Sequence, residues 1–241
     1  MAGSAEIVMA HGIWQVLLRS KTFVPNHVGV YGASETGKTT LDRQLTTVGE
    51  IKELGEEDRT HHPKTGLFVE KYRLPKATSK RIKSTGLEKT IISRDLGGHI
   101  EYHSSWLRDM IERNVGTVVV VVDHRHLIDS KNVDNQTALG YLVNALGRRT
   151  KPKGLSLRGR WRARKYSPKR LILLANKADE WMTPEYYVEW EQGFVARHPI
   201  FDVFREELYK LHEMHIPVRI DAISARYGWN VEDALIRGFE L

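Results

Sequence analysis

Four apolar runs frame this chain: His27–Tyr31 (HVGVY), Thr117–Val122 (TVVVVV), Leu171–Ala175 (LILLA) and Val218–Ala222 (VRIDA). An uninterrupted β-branched run such as 117–122 has no polar face, as expected of a strand buried on both sides in a parallel sheet. Between and after these runs, helical spacing predicts helices at 101–114, 134–146, 184–197, 201–213 and 230–239, with Pro199 dividing the third from the fourth. Residues 67–74 alternate like a strand, Pro75 stops them, 76–84 reads as a basic loop and 87–96 as a second strand. Together they predict an antiparallel hairpin with a long tip. Residues 4–20 predict a short amphipathic helix, so 1–25 is expected to be a helical extension ahead of a domain over 26–241, and 45–64 a long polar connection. The alternation of strand and helix predicts an α/β fold: a doubly wound, mostly parallel, six-stranded sheet with one antiparallel strand and helices on both faces.

Charge adds a second feature. The net charge is +7, yet residues 147–170 (GRRTKPKGLSLRGRWRARKYSPKR) hold eleven Lys and Arg and no acid, more than the whole net charge. Residues 71–84 add six more basic groups without an acid. A local excess of this kind suits an anionic partner for a patch: an acidic protein, anionic lipid or RNA. Trp161, Leu155 and Leu157 offer the insert little to bury, so it is expected to be either a solvated loop or a docking arm. There is no cysteine, which excludes disulfides, thiol chemistry and Cys-based metal sites. No apolar run reaches spanning length and no secretory signal is visible, so a cytoplasmic protein without a transmembrane segment is expected.

The chemistry concentrates where strands end. After the first run comes Gly32-Ala33-Ser34-Glu35-Thr36-Gly37-Lys38-Thr39-Thr40. Strand, glycine loop and helix in this order are the context a phosphate-binding P-loop requires: Gly32 and Gly37 let successive amides point inward, and the helix start adds unpaired N–H groups. Lys38 can reach outer phosphates, and the Thr39 hydroxyl can hold Mg²⁺. Three further strands end in Asp95-Leu96-Gly97-Gly98-His99, Asn176-Lys177-Ala178-Asp179 and Ser224-Ala225-Arg226. Asp95 can reach a metal through water, and Gly98 can offer its N–H to a terminal phosphate with no side chain in the way.

The order GASETGKTT, DLGGH, NKAD and SAR resembles that of a Ras-superfamily small GTPase, over roughly residues 26–240. It looks closest to the Arf-like and bacterial MglA-like branches, because the P-loop ends Gly-Lys-Thr-Thr and the second motif reads Asp-x-Gly-Gly. The resemblance implies a P-loop NTPase fold that binds GTP or GDP with Mg²⁺ and hydrolyses GTP. Asp179 would accept hydrogen bonds from the guanine N1–H and 2-amino group, Asn176 would brace the loop, the Lys177 stem would cover the base and the Ala225 amide would meet the guanine oxygen. Thr39, Asp95 and Thr65 would organise the metal, with Thr60 a rival for the last place. His99 would orient water, and loops 55–66 and 97–104 would change partners with the nucleotide, implying a protein effector and an activating protein.

Three departures stand out. His99 replaces the glutamine of Ras and Arf families, Glu35 puts a carboxylate inside the phosphate loop, and Ser34 replaces a usual glycine. Glu35 must turn outward or pair with a cation. These substitutions predict slow intrinsic hydrolysis. They leave open a nucleotide-dependent binding module with negligible turnover, and the basic insert leaves open a GTPase acting on RNA or ribosomes.

Overall fold

The computed structural model describes residues 26–46, 78–84, 87–93, 97–148 and 152–239. The anticipated helix at 4–20, connection at 45–64 (beyond Thr46) and strand at 67–74 lie outside these residues, as do Thr60, Thr65 and Asp95.

Four strands form a parallel array: β1 (Asn26–Tyr31), β4 (Thr117–Val122), β5 (Arg170–Ala175) and β6 (Val218–Ala222). On the free side of β1, β3 (Leu87–Ser93) pairs parallel to it, and β2 (Thr78–Ser84) pairs antiparallel to β3. The order across the sheet is β2-β3-β1-β4-β5-β6. The seven helices named here are α1 (Lys38–Thr46), α2 (His103–Arg113), α3 (Asp134–Gly147), α4 (Leu157–Arg162), α5 (Pro184–Glu191), α6 (Arg205–Glu213) and α7 (Val231–Phe239).

The valine run shows why this sheet needs cover on both faces. Val118, Val120 and Val122 join Leu171, Leu173 and Ala175 in a cluster with Trp106, Met110, Leu139, Leu142 and Leu211 from α2, α3 and α6. Val119 and Val121 join Ile172 and Leu174 in a second cluster with Leu41, Val231, Ala234 and Leu235 from α1 and α7. The period-two alternation of a strand splits one apolar run between two cores. All six residues of β4 are buried.

Three expectations need correction. The basic stretch 78–84, read as a hairpin tip, is itself β2, and Ser84 pairs with Leu87 across a two-residue connection. Its cationic residues Lys80, Arg81 and Lys83 belong to the outermost strand of this order. The predicted helix 184–197 stops at Glu191 and is followed by a separate 3₁₀ turn at Val195–Arg197, with Gly193 between them at φ 84°. The third correction is the insert, which is no solvated loop. Leu155 and Ala163 are buried with Leu107 and Ile111 of α2 and Ala145 of α3. Ser156 caps α4 by accepting from the Gly159 amide, and donates from its own N–H and hydroxyl to Glu112 of α2. Arg162 donates to the Glu112 carbonyl, and the Tyr166 hydroxyl to that of Val115.

Helix α2 is pinned to β1 by buried charge. The Tyr31 hydroxyl donates to Asp109 Oδ2 at 2.8 Å, Arg113 Nε donates to Asp109 Oδ1 at 2.8 Å, and Arg113 Nη1 donates to the Val28 carbonyl at 3.0 Å. Burial and the Asp109 carboxylate hold the Tyr31 hydroxyl well above its ordinary pKa, so it stays a donor. This fixes the helix that follows loop 97–99.

Candidate functional site

The carboxyl ends of β1, β4, β5 and β6 converge on one rim, where doubly wound sheets place their ligand sites. After Tyr31 the chain turns at Gly32 with φ 146°, where a Cβ would lie 2.2 Å from the Val121 carbonyl oxygen. No other residue type fits that approach. Glu35 follows with φ 66° and Gly37 with φ 89°, so the loop reverses twice before α1 starts with Leu41 N–H donating to the Gly37 carbonyl. Inside the loop, the Thr36 hydroxyl and the Lys38 ammonium both donate to the Ala33 carbonyl, at 3.1 and 2.5 Å. Lys38 is buried, while Ser34 and Thr39 are half-buried and Glu35 is exposed. Thr40 is half-buried one residue further into the helix.

Asn176 joins the loops. Its Nδ2 donates to the Thr36 carbonyl at 2.8 Å and its Oδ1 accepts from the Ala225 N–H at 2.8 Å, so one side chain clamps the glycine loop to the loop after β6. The Ser224 hydroxyl donates to Asp179 Oδ1, which orients a carboxylate that is otherwise exposed. Lys177 adopts φ 59° and pairs its ammonium with Asp123 at 3.0 Å. Arg226 is exposed, its guanidinium 5.5 Å from the centre of the Tyr227 ring.

Loop 97–99 packs against the glycine loop. A Cβ on Gly98 would lie 2.4 Å from the Ala33 carbonyl carbon and 2.5 Å from Lys38 Nζ. His99 is exposed, with Nε2 3.4 Å from Ser34 Oγ. Trp106 holds the loop from below by donating its indole N–H to the Gly97 carbonyl at 3.0 Å. The His103 ring lies tilted against Trp106, ring centres 4.2 Å apart, and its pKa falls to about 4, chiefly through burial, which outweighs the opposing effect of the Gly98 backbone, with the Lys38 charge adding to the fall.

The sequence reading missed Asp123 and Arg125. Asp123 is fully buried at the end of β4 and accepts from Asn135, Lys177 and Arg125. Burial pushes its pKa up, but the Asn135 hydrogen bond and the Lys177 and Arg125 charges outweigh this and hold the carboxyl below the ordinary carboxylate range. Arg125 continues across to the glycine loop, donating Nη2 to the Ser34 carbonyl at 2.6 Å with Nη1 4.0 Å from Glu35 Oε2. The demand that Glu35 find a cation is therefore met. A polar triplet, Asp123-His124-Arg125, directly after six buried residues was the available signal.

Ser34, Glu35, Thr36, Gly37, Lys38, Thr39, Gly98, His99, Asn176, Lys177, Asp179, Ser224, Ala225 and Arg226 thus lie on adjoining loops and helix starts at one rim. Of the metal candidates, only Thr39 lies among the described residues, where no cluster of three His, Asp or Glu side chains forms a metal site by itself. A metal seated on Thr39 fits a donor set of hydroxyl plus phosphate oxygens rather than a protein-only cage.

No family model matches the chain, and no curated protein matches it significantly. Among solved structures, the crystal structure of a bacterial selenocysteine-specific elongation factor, EF-Sec, is similar at 16% identity and a TM-score of 0.44. The match covers 89% of this chain and 28% of that protein's length.

Proposed function

We propose that this chain is a small GTPase that binds a guanine nucleotide with Mg²⁺, hydrolyses GTP to GDP and phosphate, and switches partner binding in doing so. The observation that carries the reading is the Asn176 clamp: a loop suited to phosphate and a loop suited to a base edge are held together by one amide. At the base end, Asp179 accepts from guanine N1–H and the 2-amino group while Ser224 fixes its orientation. Adenine lacks both donors and would leave the carboxylate without its partners. At the phosphate end, the amides of 34–39 and the Lys38 ammonium offset phosphate charge. Mg²⁺ would neutralise charge on the outer phosphates, held by Thr39 and, on the family pattern, Asp95 and Thr65. His99 orients a water for in-line attack on the γ-phosphorus, with the bond to the β–γ bridging oxygen breaking. The Gly98 N–H marks the γ-phosphate, and residues 55–66 and 97–104 present its presence to a protein effector and an activating protein.

A second reading is favoured by one contact. Ser34 Oγ lies 3.4 Å from His99 Nε2 and competes for the ring that would aim the water. In that reading the chain binds nucleotide with negligible turnover. Phosphate release by wild type, His99→Ala and Ser34→Gly separates the two. Hydrolysis predicts a loss of about 100-fold or more in His99→Ala at unchanged GDP affinity, and a gain in Ser34→Gly. No release from wild type or Ser34→Gly, with GTP bound, selects the binding module.

A further inference from the structure

The docked insert presents a small amphipathic surface that nothing in the nucleotide reading uses. Helix α4 turns Gly159, and the Ala163 that caps its end, inward against the body of the protein, where Glu112 and α2 hold it. On the opposite side, Leu157 and Trp161 lie one helical turn apart and are 84% and 71% exposed. At 100° per residue, Arg158 flanks this apolar crest on one side and Arg160 on the other, and both are exposed. Arg164 and Lys165 follow on the exposed end. The Glu112 carboxylate accepts from the Ser156 N–H and hydroxyl at the start of the helix.

We propose that this face binds an anionic lipid bilayer, with Leu157 and Trp161 entering the headgroup boundary and the flanking arginines pairing with lipid phosphates and carboxylates. The chemistry separates lipid from other anionic partners. A nucleic acid would reward the indole through stacking but leaves an exposed leucine without a role. An interfacial site uses both, because an aliphatic and an indole side chain side by side bury apolar area while arginines on either flank stay at the charged surface. The acid-free sequence of 147–170 complements a negative membrane surface. Among the described residues no helix is long and apolar enough to cross a membrane, so contact here is peripheral. With two apolar anchors the interaction is reversible and depends on both charge and insertion. It is independent of whether the rim binds GTP.

The test is sedimentation of the 241-residue chain with vesicles of phosphatidylcholine alone and of phosphatidylcholine with about one third phosphatidylserine, at two ionic strengths. Binding is expected only to the anionic vesicles, weakening as salt rises. Leu157→Ser/Trp161→Ser and Arg158→Gln/Arg160→Gln should each lower the partition coefficient by about tenfold with an unchanged melting temperature, since these side chains are exposed. Trp161→Phe should abolish the vesicle-induced blue shift of fluorescence, although five other tryptophans remain of the six. Absence of binding to anionic vesicles, or binding that survives Leu157→Ser/Trp161→Ser, overturns the proposal. So does tighter binding to a single-stranded RNA that depends on Trp161 and not on Leu157, which would make this a nucleic-acid surface.

Discussion

Arg125 lies between Asp123 and Glu35, 3.0 Å from the first carboxylate and 4.0 Å from the second. It therefore ties the end of β4 to the middle of the glycine loop, where a carboxylate would otherwise repel a bound phosphate. Arg125→Gln should speed release of a bound guanine nucleotide by about two- to fivefold, the range of a partly exposed ion pair. Glu35→Gln/Arg125→Gln should restore much of the loss, because both members of the pair are then neutral. Stopped-flow release of a fluorescent GDP from the wild type, both single variants and the double variant measures this coupling. Additive effects would show that Arg125 acts through Ser34, Asp123 and Asp134, whose carboxylate lies 3.8 Å from Nη1, and not through Glu35.

Gly98→Ala tests the contact between the two loops. Its Cβ would meet the Ala33 backbone at 2.4 Å, so loop 97–99 must retreat and carry His99 with it. GDP affinity should stay close to wild type while GTP turnover falls by about 100-fold, the cost of a displacement near one ångström at a reacting centre. Equal losses in GDP affinity and turnover would mean that the retreat distorts the glycine loop as well.

The parts of the fold that depend on apolar pattern were legible in the sequence. Val118 to Val122 read as a strand covered on both faces, and the two clusters that share its alternate residues bear that out. The hairpin was misplaced because Thr78–Ser84 (TSKRIKS) has one apolar residue, Ile82, and so lacks the apolar content that marks a covered strand. The insert misled for a related reason. Its charge suggested solvent, but Leu155, Ala163 and Tyr166 anchor it, and the Ser156–Glu112 contact spans 44 residues, a pairing no local pattern reveals. At the rim, Asn176, Asp179, Ser224 and Ala225 could be named from their tetrapeptide and tripeptide. Arg125 could be flagged from the polar triplet it closes but not given a role, because that role arises from a contact 91 residues away at Ser34.

His103 makes the support of loop 97–99 sensitive to acid. Its folded pKa of about 4 lies below the ordinary 6.5, so the unfolded chain takes up a proton between those values and the folded chain does not. Its contribution to stability is full above pH 6.5 and is lost as pH falls toward 4, with a slope of up to ~1.4 kcal/mol per pH unit. His126 and His198, also depressed by burial, act in the same direction. His103→Phe keeps an aromatic ring beside Trp106 and Tyr141 and should flatten the slope of stability against pH in that window, whatever it does to absolute stability. Urea titrations at pH 4.5, 5.5 and 6.5 read it, and parallel slopes for the two proteins would place the acid sensitivity elsewhere.

The central claim, a guanine nucleotide held across the Asn176 clamp, rests most directly on Asp179. The decisive measurement is the affinity of the purified chain for GTP, ATP and xanthosine triphosphate with Mg²⁺ present, in wild type and in Asp179→Asn. Xanthine carries an oxygen acceptor on C2 and keeps N1–H, so its 2-oxo group meets an asparagine amide where guanine's 2-amino group met a carboxylate. The account predicts that wild type prefers GTP over ATP by about 1,000-fold or more, on the scale of a site built to hydrogen-bond a group its rival lacks. It predicts that Asp179→Asn loses GTP affinity and gains affinity for xanthosine triphosphate. Equal affinity of wild type for GTP and ATP, or a GTP affinity indifferent to Asp179→Asn, would contradict it.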